Sequence, residues 1–357
     1  ASARYAFNKS HSISYAVCSY WSAYEKAHNP LEFFLSYLYY ASEKQDPHQE
    51  VYELISEAKL FNIDARTPSI ANYSSKFTTK KNKIYFGLKD IKSLTGKTGD
   101  KVVEAIEEVQ KDIGKDIKKF TWLEILLFFG DKINSTAFKA LCSIGFFRDF
   151  NGKISRNKAL YDYDIFRTLT KAEKTWTQKN YSDYKWKDLT ECLVSLAPTK
   201  KQGGGTSKIE RQQIVENEIQ LLRTPPYSLE DDANWIIDQE TRFLGCPITL
   251  NRIDTVDKSA ANTTCKDILN GKKGKDMCIA ANIQRVADYT ITKGDSKGKI
   301  MSFLTIEDES CVLDSVIAFP KVKEKYRYIL YEGNNLILCG SVSKQDSSFI
   351  IDKIHEI

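Results

Sequence analysis

Residues 299–320, KIMSFLTIEDESCVLDSVIAFP, carry the clearest structural signal in the chain: apolar and polar residues alternate along two short runs before a proline. A period of two is typical of strands with one buried face. Working outward, the same pattern predicts strands over residues 283–291, 300–306, 311–318, 335–342 and 348–354, with a helix from Pro320 to about Leu330. Three strands, a helix and two more strands are the order of a small five-stranded Greek-key barrel of the OB type.

The chain upstream of the barrel is predicted to be mainly helical. Apolar residues at helical spacing predict helices over residues 9–28, 30–41 and 50–61, and the second is so rich in aromatic and aliphatic residues that we expect it to be buried. Residues 62–88 are expected to be irregular with short strands, and residues 151–277 have the weakest periodicity. The first helix carries an apolar stripe: Ile13, Val17, Tyr20, Tyr24 and Ala27. The fold class is therefore α+β and multidomain, a mainly helical N-terminal two-thirds followed by a C-terminal five-stranded OB-type β-barrel.

Length and composition exclude several classes of protein. The chain has 357 residues, of which 42% are hydrophobic and 28% charged, and this excludes collagen-like and wholly disordered chains. No run approaches the ~18 consecutive apolar residues of a membrane helix, so no membrane partner is expected. The first residue is Ala1 rather than methionine, and we therefore expect a fragment.

The eight cysteines and four histidines do not predict a metal site. No two cysteines stand in a C-x-x-C spacing, and no histidine lies near a cysteine at ligand spacing. Scattered thiols in a chain of this length predict buried, reduced cysteines in a cytoplasmic protein rather than a disulfide framework. The acidic pairs Asp162/Asp164 and Asp231/Asp232 fall in loop-like sequence, and we interpret them as solvated rather than as a two-metal site. No catalytic residue is therefore assigned.

Positive charge is concentrated in one segment of the chain. Residues 76–119 contain 12 lysines against 7 acidic residues, an excess equal to the net charge of the whole chain, +5. A local excess of lysine favours a polyanionic partner, and a solvated helical face is the alternative. Inside this segment lies Gly96-Lys97-Thr98-Gly99, followed by a helical pattern from Asp100. The glycines are not those of a P-loop, because position 91, where that motif needs glycine, is isoleucine.

We interpret this glycine pair as the hairpin of a helix-hairpin-helix. Glycines let backbone N–H groups approach a phosphate, and the following helix N-terminus, with Asp100 as its expected cap, adds positive potential. The predicted DNA contacts are Gly96, Lys97, Thr98, Gly99 and Lys101. Such contacts position DNA without reading its sequence. An ordinary helix-loop-helix turn is the alternative, because two residues rather than one separate the glycines.

The predicted barrel offers a second DNA-binding candidate. Tyr289 and Phe303 are candidates to stack on bases, and Lys297 and Lys299 to follow the backbone of a single strand. Strand alternation favours the alternative for Phe303, a place in the core, and the lysines then belong only to a hairpin loop.

The first turn of the first helix is a third candidate. Asn8 is the expected cap, and Lys9 and His11 make the turn polar and basic. Such a turn can bind a triphosphate, and an exposed cap is the alternative.

The opening segment, residues 4–33, closely resembles the bacterial replicative DNA polymerase III alpha subunit family (DnaE type), above all in the phrases FNKSH and KAHNPLEF. Further likeness lies in residues 84–105, 134–147, 240–245 and 299–320, so that the resemblance covers most of the chain. It implies a C-terminal fragment with four parts: residues 1–72 as the end of the polymerase fingers, 73–150 as the helix-hairpin-helix region, 151–277 as a helical linker region and 278–357 as the OB-fold domain.

The resemblance also implies roles and partners. Contacts to the incoming nucleotide are implied for Asn8, Lys9, His11 and Tyr15. The hairpin region would grip duplex DNA, and the barrel would hold single-stranded template. Primed template DNA, single-stranded DNA and a deoxynucleoside triphosphate are thus the implied ligands. The partners are the polymerase palm portion and, as further candidates, a sliding clamp and a clamp loader, although no Gln-x-x-Leu/Met-Phe clamp-binding peptide is found.

The family's catalytic aspartates lie in a palm domain that has no counterpart in this sequence. We therefore expect this fragment to be inactive alone, and the Mg²⁺ of the whole polymerase to be bound by residues outside this chain. A non-enzymatic DNA-binding replication accessory protein is the alternative function.

Overall fold

The computed structural model describes residues 9–149, 154–196, 209–344 and 347–357. The chain divides into two compact units, which are described separately below. The first unit comprises residues 1–65, 79–84 and 248–357, and the second comprises residues 66–78 and 85–247. The predicted four-part division by function stays a prediction beside this geometric one.

Three helices open the first unit and match those predicted: α1 (Lys9–His28), α2 (Pro30–Tyr40) and α3 (Pro47–Leu60). Pro30 and Pro47 stand at the start of their helices, where the missing N–H would have no intrahelical partner. The carboxylate of Asp46 caps α3 by accepting a hydrogen bond from the backbone N–H of Gln49, at 3.2 Å.

The burial of the first two helices differs from expectation. No residue of α1 is buried, and Tyr20 of the apolar stripe is 65% exposed. In α2 only Phe34 and Leu38 are buried, so the prediction of a buried helix is wrong for most of its residues. A helix packed on one side buries only that side, and the Phe34 ring of α2 packs at 5.5 Å against the Phe61 ring at the end of α3.

Short strands follow, as predicted for this irregular segment: β1 (Asp64–Arg66), β2 (Thr78–Lys80) and β3 (Lys83–Tyr85). They form a small sheet in the order β1-β3-β2. The turn between β2 and β3 has Lys81 and Asn82 at positive φ, which is typical of a tight hairpin.

The described part of the second unit is built from helices. They are α4 (Lys97–Ile113), α5 (Trp122–Glu124), α6 (Ser135–Ser143), α7 (Arg156–Thr168), α8 (Lys171–Tyr184), α9 (Leu189–Leu196), α10 (Ile209–Arg223) and α11 (Ala233–Leu244). Helix α5 is continued by a π-helical turn over Ile125–Phe129. The region of weak periodicity is thus also largely helical.

Aromatic rings form the core of the second unit. Phe138 of α6 stacks on Tyr163 of α7 with ring centroids 3.9 Å apart, and on Phe147 at 5.2 Å. Phe129 closes the cluster at 6.0 Å from Phe138, and all four side chains are buried. Rings of this size bury large apolar areas, so this cluster contributes a major share of the hydrophobic stabilisation.

The acidic pairs of the second unit are structural, and their interpretation as solvated loop residues is wrong in part. Asp162 lies in α7, is buried, and accepts hydrogen bonds from the Trp122 indole N–H at 3.0 Å and the Lys158 ammonium at 2.6 Å. Asp231 accepts the backbone N–H groups at the start of α7, and Asp232 caps α11. Burial of a carboxylate is tolerated where donors replace its water.

The rest of the first unit begins with α12 (Cys265–Leu269) and continues as a closed barrel. Its strands are β4 (Met277–Thr290), β5 (Ile300–Glu307), β6 (Val312–Ala318), β7 (Asn335–Val342) and β8 (Phe349–Glu356), with α13 (Pro320–Lys325) between β6 and β7. The barrel closes in the order β4-β5-β6-β8-β7, and β6 and β8 are its parallel pair. This confirms the predicted five-stranded OB-type barrel and its order of elements.

Close approach of two strands fixes one glycine of the barrel. The ladder between β7 and β8 shifts register between Cys339 and Gly340. A Cβ on Gly340 would lie 1.9 Å from the carbonyl oxygen of Ile350, a distance no real contact allows. Only glycine therefore fits at this irregularity.

The structure corrects the prediction that the cysteines are reduced and unpaired. Pairing of β4 with β7 sets Cys278 directly opposite Cys339, with Cα atoms 4.1 Å apart, and the two form a disulfide. The two positions are 61 residues apart in sequence, so spacing along the chain gives no hint of the contact. The other six cysteines form no disulfide, and all of them except Cys18 are buried.

Candidate nucleic-acid interface

The glycine hairpin lies at the start of α4. Gly96 precedes the helix with φ 63° and ψ −131°, a conformation that side-chain-bearing residues rarely adopt. No heavy atom of the described residues lies within 4 Å of where its Cβ would be, so this backbone faces open space. Lys97 and Lys101, one turn apart, are exposed. The hairpin thus presents bare backbone and two cations to solvent.

The second glycine has a different environment from the first. Gly99 is buried in the first turn of α4, and a Cβ there would lie 3.0 Å from the carbonyl oxygen of Leu94 and 2.8 Å from Cγ of Lys89. Thr98 beside it is partly buried. Gly99 therefore allows α4 to pack closely against the preceding turn. Unlike Gly96, it is not available at the surface.

The predicted cap of this helix is wrong. The helix begins at Lys97, three residues earlier than expected, and Gly96 is its N-cap. The Asp100 side chain does not cap the helix. Its carboxylate pairs with the Lys89 ammonium at 2.7 Å and accepts a hydrogen bond from the Ser75 hydroxyl at 3.0 Å. The Lys89 hydrogen bond is the largest influence on this carboxyl and holds its pKa below the usual range. Glycine at the N-cap suffices because its backbone adopts the required angles without strain.

A buried carboxylate lies immediately before the hairpin. The Asp90 side chain is 5% exposed and ends the 3₁₀ turn Leu88–Asp90. Burial raises its pKa to about 6, against the opposing effects of Lys76, whose ammonium is 3.6 Å away, and of the backbone of Phe77 and Gly87. Its Oδ2 has no hydrogen-bond partner among the described residues. Sequence analysis missed this residue, and its position between the apolar residues Leu88 and Ile91 was the available hint.

The β4–β5 hairpin carries the barrel residues predicted to contact DNA. Tyr289 and Phe303 are 47% and 43% exposed, and their rings meet edge to face with centroids 6.3 Å apart. The favoured placement of Phe303 in the core is therefore wrong, because the adjacent Leu304 takes the inward position and successive side chains alternate. Lys297 and Lys299 lie exposed in the turn that joins the two strands.

The first helix presents its predicted nucleotide-facing residues to solvent. Lys9 and His11 are exposed, and Tyr15 is 61% exposed. The rings of His11 and Tyr15 meet edge to face at 4.6 Å, one helical turn apart. Asn8, the fourth predicted contact, lies outside the described residues.

A polar cluster that no sequence pattern predicted joins the barrel to α3. Glu307 at the end of β5 is nearly buried and accepts hydrogen bonds from the Tyr52 hydroxyl at 2.9 Å and the Gln284 amide at 2.8 Å. The Lys59 ammonium lies 3.5 Å from its other oxygen. On the same side, the Lys266 ammonium donates to the Asn62 side chain at 2.8 Å.

The described ranges also bear on metal binding and on membrane insertion. No group of three or more His, Cys, Asp or Glu side chains in them is arranged to hold a metal ion. Across residues 9–149, 154–196, 209–344 and 347–357, no helix has both the length and the apolar character needed to cross a bilayer.

Comparison with known proteins shows which proteins this chain is similar to. No family model matches the chain. The DNA polymerase III subunit alpha of Aquifex aeolicus is 26% identical over 359 residues, covering 99% of this chain and 26% of that protein. That of Saccharopolyspora erythraea is 33% identical over 98% of this chain and 27% of its own length. That of Ureaplasma parvum is 37% identical over 108 residues. The match to the Ureaplasma protein covers 30% of this chain and 11% of that protein, whereas the chain spans about a quarter of the length of the first two relatives.

Two independent features therefore agree. The order of the barrel strands is the one predicted, and alpha subunits from diverse bacteria align along almost every residue of the chain. The chain belongs to the family of bacterial DNA polymerase III alpha subunits, as a segment equal to about a quarter of such a subunit.

Proposed function

We propose that this chain is the part of a replicative DNA-directed DNA polymerase that holds the DNA and faces the incoming nucleotide. The observation that carries the proposal is an exposed, glycine-capped helix N-terminus flanked by two lysines, in a chain similar to alpha subunits over 98–99% of its residues. Such an arrangement suits a polyanion, because backbone N–H groups, the helix dipole and lysine charge all attract phosphate.

The hairpin is assigned to duplex DNA. The open backbone at Gly96 allows a phosphate to approach without a side chain in the way, and Lys97 and Lys101 add charge at the start of the following helix. These groups contact the sugar-phosphate backbone and not base edges, so they hold any sequence. A replicative polymerase needs this kind of grip.

The barrel is assigned to single-stranded template. The exposed rings of Tyr289 and Phe303 offer faces and edges on which unpaired bases can stack, and Lys297 and Lys299 extend beside them. Stacking on aromatic rings is tolerant of sequence, because every base has a π-face.

The N-terminal helix is assigned to the incoming deoxynucleoside triphosphate. Lys9 and His11 are exposed in its first turn, and Tyr15 follows one turn later in contact with His11. Cations placed beside a triphosphate offset the charge that develops during phosphoryl transfer. Asn8 completes the proposed set.

The chemical step is assigned to residues outside this chain. The Mg²⁺ of a nucleotidyl transfer is held by carboxylates, which the proposal places on the palm portion of the polymerase, so that this chain alone incorporates no nucleotide. The same proposal locates the chain in the cytoplasm, with a sliding clamp and a clamp loader as candidate partners.

The test of the hairpin assignment is the salt dependence of binding to primed template DNA, measured by fluorescence anisotropy. The double substitution Lys97→Ala with Lys101→Ala is expected to weaken binding and to reduce the salt slope by about 1 per lysine. Lys111→Ala, at the other end of the same helix, is the matched control. Equal slopes for the double variant and the control would refute the assignment.

The test of the nucleotide assignment uses the chain reconstituted with a palm-bearing polymerase portion. Lys9→Ala is expected to slow incorporation while leaving DNA affinity unchanged. An unchanged rate with intact DNA affinity would favour the other function considered, a non-enzymatic DNA-binding accessory protein. Incorporation by the chain alone would contradict the assignment of the metal site to another part of the polymerase.

A further inference from the structure

A groove in the second unit is not used by the proposed function. Its volume is 970 Å³, and it is lined by α6, α7, α10 and α11 together with Ser93 from the start of the hairpin. No function was predicted from the sequence for most of the residues that line the groove. The groove is large enough for a few nucleotides or a short peptide, so its chemistry must decide the occupant.

Aromatic side chains line the groove. They are Tyr161 on α7, Trp235 on α11 and Tyr227 in the loop before α11. Tyr227 is 61% exposed and meets Tyr161 edge to face at 5.8 Å. The Tyr161 hydroxyl donates a hydrogen bond to the carbonyl oxygen of Leu221 at 3.0 Å, which fixes this ring. Fixed and half-exposed rings are a stacking platform for planar groups.

Among the described residues, the groove carries two arginines without an ion pair against one such carboxylate, Glu218. Arg167 and Arg242 are exposed, and neither forms an ion pair with a described residue. The guanidinium of Arg242 lies 5.2 Å from the Phe243 ring centre, which holds it at the groove wall. Two carboxylates also line the groove, but Asp164 is paired with Lys139 at 2.6 Å and Glu218 is partly buried. Guanidinium groups beside aromatic rings match phosphates beside bases.

The groove begins at the base of the glycine hairpin. The backbone N–H of Lys92 donates to the carbonyl oxygen of Phe243 at 2.9 Å, and Ser93 is the next residue and lines the groove. The wall of the groove therefore comes within three residues of Gly96 along the chain.

We propose that this groove binds a short unpaired stretch of a DNA strand that extends from the duplex held at the hairpin. The aromatic side chains stack on its bases, and Arg167 and Arg242 contact its phosphates. This inference rests on the proposed function, since the hairpin supplies the duplex from which the strand extends. It gives the helical region between hairpin and barrel a nucleic-acid contact of its own.

The first experiment compares a blunt duplex with one that carries an overhang of about four nucleotides. The full-length chain carries Tyr289→Ala and Phe303→Ala, so that the barrel rings do not contribute. Adding Arg167→Ala with Arg242→Ala is expected to weaken overhang binding about tenfold and to leave blunt-duplex binding nearly unchanged. Tyr227→Ala, which alters a largely exposed ring, is expected to cost about fivefold. Lys179→Ala, an exposed charge outside the groove, is the matched control.

The second experiment maps contacts directly. An overhang that carries a photoreactive halogenated uracil is expected to cross-link to Tyr161, Tyr227 or Trp235, as identified by mass spectrometry. Overhang binding that is unaffected by the arginine pair, or cross-links confined to the barrel, would overturn the inference while the duplex grip stands. Loss of duplex binding by the unmodified chain would instead overturn the proposed function.

Discussion

The hairpin and the barrel face offer DNA two different kinds of surface. The hairpin exposes backbone at Gly96 with two lysines at the start of the following helix, whereas the barrel exposes the rings of Tyr289 and Phe303 with lysines in the adjoining turn. The first suits phosphates, which every duplex presents on its outside. The second suits base faces, which are accessible only where strands are unpaired. In the proposed function, these two surfaces therefore assign duplex and single-stranded DNA to different parts of the chain by their chemistry.

The supports beneath the two surfaces differ as well. The barrel is closed by strand pairing that tolerates no side chain at Gly340. The hairpin follows a turn whose buried Asp90 carboxylate is only partly neutralised by Lys76. The stability of the barrel should therefore respond to an added side chain at Gly340, and that of the hairpin region to the charge at Asp90. Substitutions at these two positions can test the two effects separately.

The largest effect is expected for Gly340→Ala. The new methyl group would lie 1.9 Å from the Ile350 carbonyl oxygen, so the β7–β8 ladder must open. We expect a loss of more than about 4 kcal/mol in the stability of the first unit, measured by denaturant unfolding. Gly274→Ala, whose Cβ would meet only the Met277 side chain at 3.4 Å, is the control. If Gly340→Ala binds single-stranded DNA normally, the barrel is not the single-strand site.

The next effect is expected for Asp90→Asn and depends on pH. Because the folded-state pKa is raised to about 6, the carboxyl favours folding when protonated, and this contribution is lost as pH rises from about 4 through about 6. At pH 7.5 the amide should therefore stabilise the second unit, by up to about 3 kcal/mol, and the gain should vanish near pH 4. Denaturant unfolding at both pH values measures it.

Asp295→Asn, which alters an exposed carboxylate in the β4–β5 turn, is the control for this pH series. A gain for Asp90→Asn that is equal at both pH values would show that the carboxyl is not desolvated as described. Duplex binding that changes with the same pH dependence would couple the hairpin surface to its support.

A smaller effect is expected for the barrel rings. Tyr289→Ala with Phe303→Ala should weaken binding to single-stranded DNA by about 1–3 kcal/mol per stacked base, and binding to blunt duplex much less. Both rings are more than 40% exposed, so stability should change little. Tyr328→Ala, which removes an exposed ring on the segment after α13, is the control. Equal losses for duplex and single strand would erase the distinction between the two surfaces.

The smallest effect is expected for Lys299→Ala. One exposed cation that contacts one phosphate should lower the salt slope of single-strand binding by about 0.7. Lys353→Ala, an exposed lysine on β8, is the control. A slope that falls for duplex but not for single-stranded DNA would move this lysine to the other surface.

The sequence predicted what depends on local periodicity. The strand over residues 335–342 and the helix over residues 9–28 have the bounds expected, because alternation and helical spacing are properties of neighbouring residues. A helix follows the glycine pair, as expected, whereas the role of this turn as a DNA-binding hairpin stays a prediction. The start of that helix was predicted wrongly, because Gly96 at positive φ replaced the side-chain cap that Asp100 was expected to supply.

Contacts between distant residues could not be predicted from the sequence. The hydrogen bond from Trp122 to Asp162 and the disulfide from Cys278 to Cys339 join positions 40 and 61 residues apart. The spacing of two acidic residues or of two thiols along the chain does not identify the residues that they contact in the folded protein. The groove beside the hairpin is of the same kind, since its walls come from four helices separated in sequence.

Glu307 has a mechanical consequence for the first unit. Its carboxylate ties the end of β5 to Tyr52 and Lys59 on α3 and to Gln284 on β4. Sliding the barrel along α3 would break these contacts together and leave a nearly buried anion without donors, which is strongly unfavourable. A force that displaces the end of β5 is therefore passed on to α3, because these contacts make the two elements move together.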